Sequence, residues 1–179
     1  GNEGYPGHHY SGVIDSNLGY DEFSLNIGNT EEGFSMEFWG IPPRFYSIDI
    51  FSPSSEYLGR VPIIYDNRTL QKFVFEDTSL YVDNIIIETR SGSQLAVFRF
   101  SNPKSGIWRF RVYCGCDMVT TFNVWLPISN FLSGDTFLFN SDPFTTLTGP
   151  ANALLPIAIT SYNSVSQELY DEASKGFPR

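Results

Sequence analysis

The chain has 179 residues, of which 41% are hydrophobic and 16% aromatic, with Phe 16 and Tyr 10 the largest contributors. That excludes a disordered polymer and suits one domain, or one domain plus a piece of another. A formal charge of -9, from Lys+Arg 11 against Asp+Glu 20, sets the surface against phosphate backbones, so no nucleic-acid partner is expected. No apolar run nears the roughly 20 residues of a spanning helix, so no membrane partner is expected either.

Period-two alternation begins at Phe23, Leu25 and Ile27. It resumes at Phe34, Met36 and Phe38, where Gly40-Ile41-Pro42-Pro43 stops the strand. Tyr46, Ile48 and Ile50 follow, closed by Ser52-Pro53-Ser54-Ser55. Phe73 and Phe75 alternate with Val74 and Glu76, and a longer strand is predicted over Leu80 to Glu88. Ala96, Phe98 and Phe100 face one way, and Leu95, Val97 and Arg99 the other. After the turn residues Ser101-Asn102-Pro103-Lys104-Ser105-Gly106, Trp108, Phe110 and Val112 alternate with Arg109 and Arg111. Phe122, Val124 and Leu126 alternate with Thr121, Asn123 and Trp125. Helical periodicity is almost absent before residue 150. Roughly eight or nine strands, several with one wet face, predict an all-β antiparallel sandwich. Jelly-roll and immunoglobulin-like topologies both fit, and the strand count favours a jelly roll.

Near Asp142-Pro143 the composition changes. Thr145-Thr146-Leu147-Thr148-Gly149-Pro150 reads as a loop, and Leu154 to Ile159 as an apolar strand of the buried type. One boundary is placed near residue 145 and another near residues 8 to 12. The division is 1–9, 10–144 and 145–179.

Gly1-Asn2-Glu3-Gly4 resembles the Gly-Asn-Glu-Gly segment of subtilisin-like serine peptidases, the subtilases. The resemblance implies that Asn2 is the oxyanion-hole residue of a parent enzyme, its side-chain amide donating to the tetrahedral intermediate. Such a donor lowers the barrier by about 3 to 4 kcal/mol. The stretch from Thr145 to Asn163 is similar to the subtilase segment in which a Pro-containing loop leads into a core strand. Pro156, Ala158, Thr160 and Ser161 depart from that strand's usual pattern. Ser174-Lys175-Gly176-Phe177 resembles the Ser-Ser-Arg-Gly turn that follows it, with Lys for Arg.

In subtilases these segments lie close together, so the strand-rich middle reads as an inserted domain. Subtilases of this plan occur in bacteria, including the spore-germination group, and their insert is a jelly roll. Gly33-Phe34-Ser35-Met36-Glu37-Phe38-Trp39-Gly40, Ser105 to Tyr113 and Val124-Trp125-Leu126-Pro127-Ile128 are similar to that insert. The implied partners are a peptide or protein substrate of the parent, the rest of the subtilase domain and its prosegment. With no initiator Met and no signal peptide, an excised piece is expected, inactive by itself.

The remaining candidates read more plainly. Val13-Ile14-Asp15-Ser16 looks like the segment carrying the subtilase catalytic Asp. Asn17 replaces its Gly, however, no His-Gly-Thr or Gly-Thr-Ser follows, and the order is wrong; Asp15 is assigned to a turn after a strand. His8 and His9, without a Cys or His cluster, read as a polar junction between core and insert rather than a metal site. No cofactor motif is present. Cys114 and Cys116 are too close for an unstrained bridge. Arg99, Arg109 and Arg111 are expected on neighbouring strands, either as a ligand-binding stripe or, the favoured reading, as a wet face paired to Asp and Glu. Asn67-Arg68-Thr69 fits a glycosylation sequon and is read as an ordinary loop. A second hypothesis is a carbohydrate- or protein-binding module using Trp39, Trp108 and Trp125 as stacking platforms. Strand patterning favours core burial for these rings.

Overall fold

The computed structural model describes residues 3–63, 70–75, 77–83, 92–115, 118–133, 135–147, 157, 159, 161–171 and 173–176. Its strands are β1 (His9–Ile14), β2 (Tyr20–Ile27), β3 (Gly33–Gly40), β4 (Tyr46–Phe51), β5 (Tyr57–Ile63), β6 (Leu70–Phe75), β7 (Thr78–Asp83), β8 (Gln94–Ser101), β9 (Gly106–Cys114), β10 (Thr120–Trp125) and β11 (Phe137–Leu138). One 3-10 turn, Ser129–Phe131, precedes β11. Among the described residues there is no α-helix. The expected all-β sandwich therefore forms, from two antiparallel sheets.

The six-stranded sheet has the order β1-β10-β3-β8-β7-β6, and the five-stranded sheet β11-β2-β9-β4-β5. The chain alternates between the sheets through its first four strands. It then pairs backwards: β5 on β4, β8 on β3, β9 on β2 and β10 on β1. The outermost of these pairs sets His9 opposite Trp125. Strand pairing itself thus brings the start of the sandwich beside its end.

The core lies between the sheets and is built from the alternating residues read in the sequence. Phe23, Leu25 and Ile27, then Met36 and Phe38, Ile48 and Ile50, Phe98, Trp108, Phe110 and Val112, and Phe122 and Val124 are all buried. Phe23 stacks on Phe110 at 4.9 Å between ring centres, and Phe98, Phe100 and Trp108 meet their neighbours edge-on. Offset and edge-to-face contacts suit the ring quadrupoles and add to the burial itself. Trp108 also satisfies its buried N–H by donating to Lys104 O at 2.9 Å.

Two strands, β5 and the two-residue β11, escape the sequence reading. The run containing β5 carries Gly59 and Pro62, both turn residues by type. β5 is an edge strand, however, paired only with β4, and an edge tolerates Pro. Gly59 has φ +148 and lies where the β4–β5 register shifts; a Cβ there would come 2.8 Å from the Phe73 ring. β1 ends at Ile14, so it is the strand implied by the assignment of Asp15 to a turn after a strand. The long strand expected over Leu80 to Glu88 is described as β7, ending at Asp83; residues 84–91 lie outside the described residues.

Candidate functional site

Asn2, the one residue assigned a catalytic role, lies outside the described residues, as do Cys116 and the Asn67-Arg68-Thr69 sequon. What can be built is the junction immediately after Asn2. Glu3 N–H donates to Ser174 Oγ at 3.0 Å. The backbones at Gly4 and Ala173 run so close that a Cβ on Gly4 would overlap the Ala173 carbonyl oxygen. Thr145 N–H donates to Gly176 O (3.2 Å) and Thr146 N–H to Lys175 O (2.9 Å), while Lys175 N–H donates back to Thr146 Oγ1 (2.9 Å). Three segments far apart in sequence, around residues 3, 145 and 174, are therefore laced side by side.

The two histidines anchor that lacing to the sandwich. His8 and His9 are buried. Nδ1 of His8 lies 3.0 Å from Glu3 Oε2, and the same carboxylate accepts from the Ser129 hydroxyl and backbone N–H at 3.2 to 3.4 Å. A half-buried carboxylate benefits from such partners, because an unpaired one is costly to desolvate. His9 stacks on Trp125 at 4.7 Å. Its Nδ1 lies 3.1 Å from Asp142 O and its Nε2 2.9 Å from Asn123 Oδ1. Both histidines thus lie among polar partners. Serine, carboxylate and histidine meet here in the wrong order for acyl transfer, since Ser129 and Ser174 hydrogen-bond Glu3 rather than His8. An open cleft of about 570 Å³ lies beside the junction, lined among others by Tyr5, His8, Leu132, Phe137 and Phe139.

Asp15 occupies a turn. It is exposed, its Oδ1 accepts from Asn17 N–H at 2.7 Å, and its carbonyl accepts from Gly19 N–H at 2.8 Å. This is an Asx-turn after β1. Nearby, burial first and then the Asp21 carboxylate push the Tyr10 phenol well above its usual range, as it donates to Asp21 Oδ2 at 3.0 Å.

The arginine reading needs correction. Arg99 lies on β8 in the six-stranded sheet, while Arg109 and Arg111 lie on β9 in the other, so the three do not share a face. Consecutive strands β8 and β9 cross between sheets, and strand order is not written in sequence adjacency. Each arginine is paired: Arg99 with Asp83 (3.3 Å), and Arg109 and Arg111 with Glu22 (3.6 and 2.9 Å). Beside them Arg60 grips Asp49 with two hydrogen bonds of 2.6 and 2.7 Å. These bonds hold the Asp49 carboxyl below the usual carboxylate range.

The tryptophans form no platform. Trp108 is in the core. Trp39 and Trp125 are half-buried on the outer face of the six-stranded sheet, with rings at 90°. Their N–H groups donate to Glu37 Oε2 and Thr145 O.

Ile157 and Ile159, expected in a strand of the buried type, are both 91% exposed. Cys114 closes β9, half-buried.

No protein-family model matches the chain, and no curated protein matches it. Among solved structures it is similar to the Clostridium perfringens CspB protease, with a TM-score of 0.87 over 100% of this chain and 22% sequence identity. The chain spans 37% of that protein. The likeness shows a shared fold, and function must be argued from the site.

Proposed function

We propose that this chain is the inserted β-sandwich of a subtilisin-like serine endopeptidase, with short segments of the peptidase core at 1–9 and 145–179. The observation that carries this reading is the convergence of the two flanks. An insert must leave and rejoin its host at neighbouring points. Here the β1–β10 pairing and the hydrogen bond from Glu3 N–H to Ser174 Oγ bring the two flanks together. The backward-paired order, β1-β10-β3-β8 facing β2-β9-β4-β5, supports a jelly roll, with β6–β7 as an added hairpin. The likeness to a bacterial protease of which this chain spans a part supports the same reading.

In the parent, Asn2 donates to the oxyanion as the acyl-enzyme forms and breaks down. The triad residues come from elsewhere in the parent, so the chain by itself is inactive. The parent's substrate is a peptide or protein, and the sandwich contacts the rest of the peptidase domain and its prosegment. Two measurements test this. The 179-residue chain should hydrolyse no peptide and take up no fluorophosphonate; stoichiometric labelling of one of its serines would sink the proposal. In the intact parent, Asn2→Ala should lower kcat by about 10² to 10³; an unchanged kcat would remove Asn2 from the oxyanion hole.

A further inference from the structure

The outer face of the five-stranded sheet differs from the rest of this acidic protein. One row across it runs Glu22, Arg111, Asp49, Arg60, one residue from each of β2, β9, β4 and β5. That row alternates in sign and is neutral. The next row runs Ser24, Arg109, Phe51, Tyr57 and contains one charge, the Arg109 guanidinium. Arg109 reaches out of its row to Glu22 Oε1 at 3.6 Å, an ion pair longer than a hydrogen bond. Glu22 is already engaged by Arg111 at 2.9 Å. In a chain of net charge -9, this face therefore carries a surplus cation.

The guanidiniums are held in place. Arg109 lies 5.1 Å from the centre of the Phe51 ring, Arg111 lies 4.7 Å from Tyr20 and 5.5 Å from Phe51, and Arg60 lies 4.3 Å from Tyr113. Stacking uses the flat face of a guanidinium and leaves its in-plane N–H fork for a carboxylate. Beside Arg109 the surface is apolar, since Ile107 and Tyr57 are each about half exposed.

We propose that this face docks an extended acidic peptide segment, with a Glu or Asp side chain on Arg109 and apolar neighbours against Ile107, Phe51 and Tyr57. Arg109 and Arg111 are two residues apart on one strand, roughly 7 Å, the spacing at which alternate side chains of an extended peptide repeat. Charge complementarity selects an acidic partner. A sugar ring is disfavoured because the guanidiniums already cover faces of Tyr20, Phe51 and Tyr113. The proposal does not depend on the peptidase reading.

The test titrates the 179-residue chain with an extended Val-Ser-Glu-Ser-Glu peptide, whose Val and Glu side chains share one face, its Val-Ser-Gln-Ser-Gln counterpart and polygalacturonate, following backbone amide shifts. Saturable binding of the Glu peptide is expected, with shifts centred on Ile107 to Arg111, Phe51 and Tyr57. Arg109→Gln should weaken it roughly tenfold, the loss of one charge-assisted contact. Arg99→Gln removes the same charge from the other sheet and should leave it unchanged. Equal weakening by the two variants, shifts spread over both sheets, equal binding of the Gln peptide, stronger binding of polygalacturonate, or no saturation would each overturn the proposal. Should Arg109→Gln fail to fold, the shift map on the unaltered chain decides.

Discussion

The sandwich and the segment beyond residue 145 are written in the same apolar alphabet but use it differently. Between β1 and β11, alternate apolar residues meet across two sheets, and Phe38, Phe98, Phe110 and Phe122 are completely buried. Beyond residue 145 Ala173 is buried, but the larger apolar residues Ile157 and Ile159, at 91% exposure, and Val165, at 92%, point outward. Local hydrogen bonding organises part of that segment. Asn163 Oδ1 accepts from Val165 N–H at 2.9 Å, and Tyr162 pairs with Leu169 across the turn. A turn can satisfy its own polar groups locally, but an apolar side chain needs a second layer to cover it. The sandwich carries both its layers within the chain; under the proposed function, the second layer of the late segment belongs to the host.

The widest contrast is tested at Phe110, which sits among Phe23, Phe98 and Phe100 at the centre of the core. Phe110→Ala removes a ring from a site the two sheets cannot close around. It should cost about 3 to 5 kcal/mol, read as a fall in the urea midpoint at unchanged slope. A cost under about 1 kcal/mol would mean that the sheets are not packed as described.

A smaller effect is expected at the junction. Glu3→Gln keeps the shape but removes the charge that accepts from Ser129 and faces His8. The expected loss is about 1 kcal/mol, with faster hydrogen exchange at the Ser129 amide and little change in the core strands. Unchanged exchange at Ser129 would argue that Glu3 does not tie the flank to the sandwich.

How much of this was legible beforehand follows from the range of each signal. Period-two burial is local, so Phe34, Met36 and Phe38 could be assigned to one face from their own spacing. Edge strand β5 could not, because its Gly59 and Pro62 are tolerated only where one side of the strand is unpaired, a property of the finished sheet. The false grouping of Arg99 with Arg109 and Arg111 has the same origin. The residue types of His8 and His9 announced polar surroundings, and both have polar partners. Glu3 gave no signal of this role, because two of its three partners lie 126 and 171 residues away.

The ion pair on the outer face should show a pH signature. Arg60 holds the Asp49 carboxyl below its unfolded value of about 4. A group whose folded pKa is depressed contributes stability above the unfolded pKa and loses it as pH falls through the folded one. Asp49→Asn should therefore cost somewhat under 1 kcal/mol at pH 7, a small figure because the Arg60 side chain is half exposed and screened. The cost should shrink below about pH 4 and vanish once Asp49 is protonated in both states. Urea midpoints of the two proteins that stay equally far apart from pH 7 to the acid limit would separate Asp49 from any charge-dependent role.

The smallest effect is expected where the apolar residues are most exposed. Ile159→Ser in this chain removes a side chain that touches little, so the unfolding free energy should move by less than about 0.5 kcal/mol. The same substitution in the intact parent meets a different environment under the proposed function, because a host layer would cover Ile159. There it should cost about 1.5 to 3 kcal/mol, the transfer energy of a buried isoleucine. The comparison reads directly on the host, since one substitution in two contexts holds the residue fixed and changes only what covers it. Equal small effects in both would leave the late segment uncovered even in the parent and would remove it from the peptidase core.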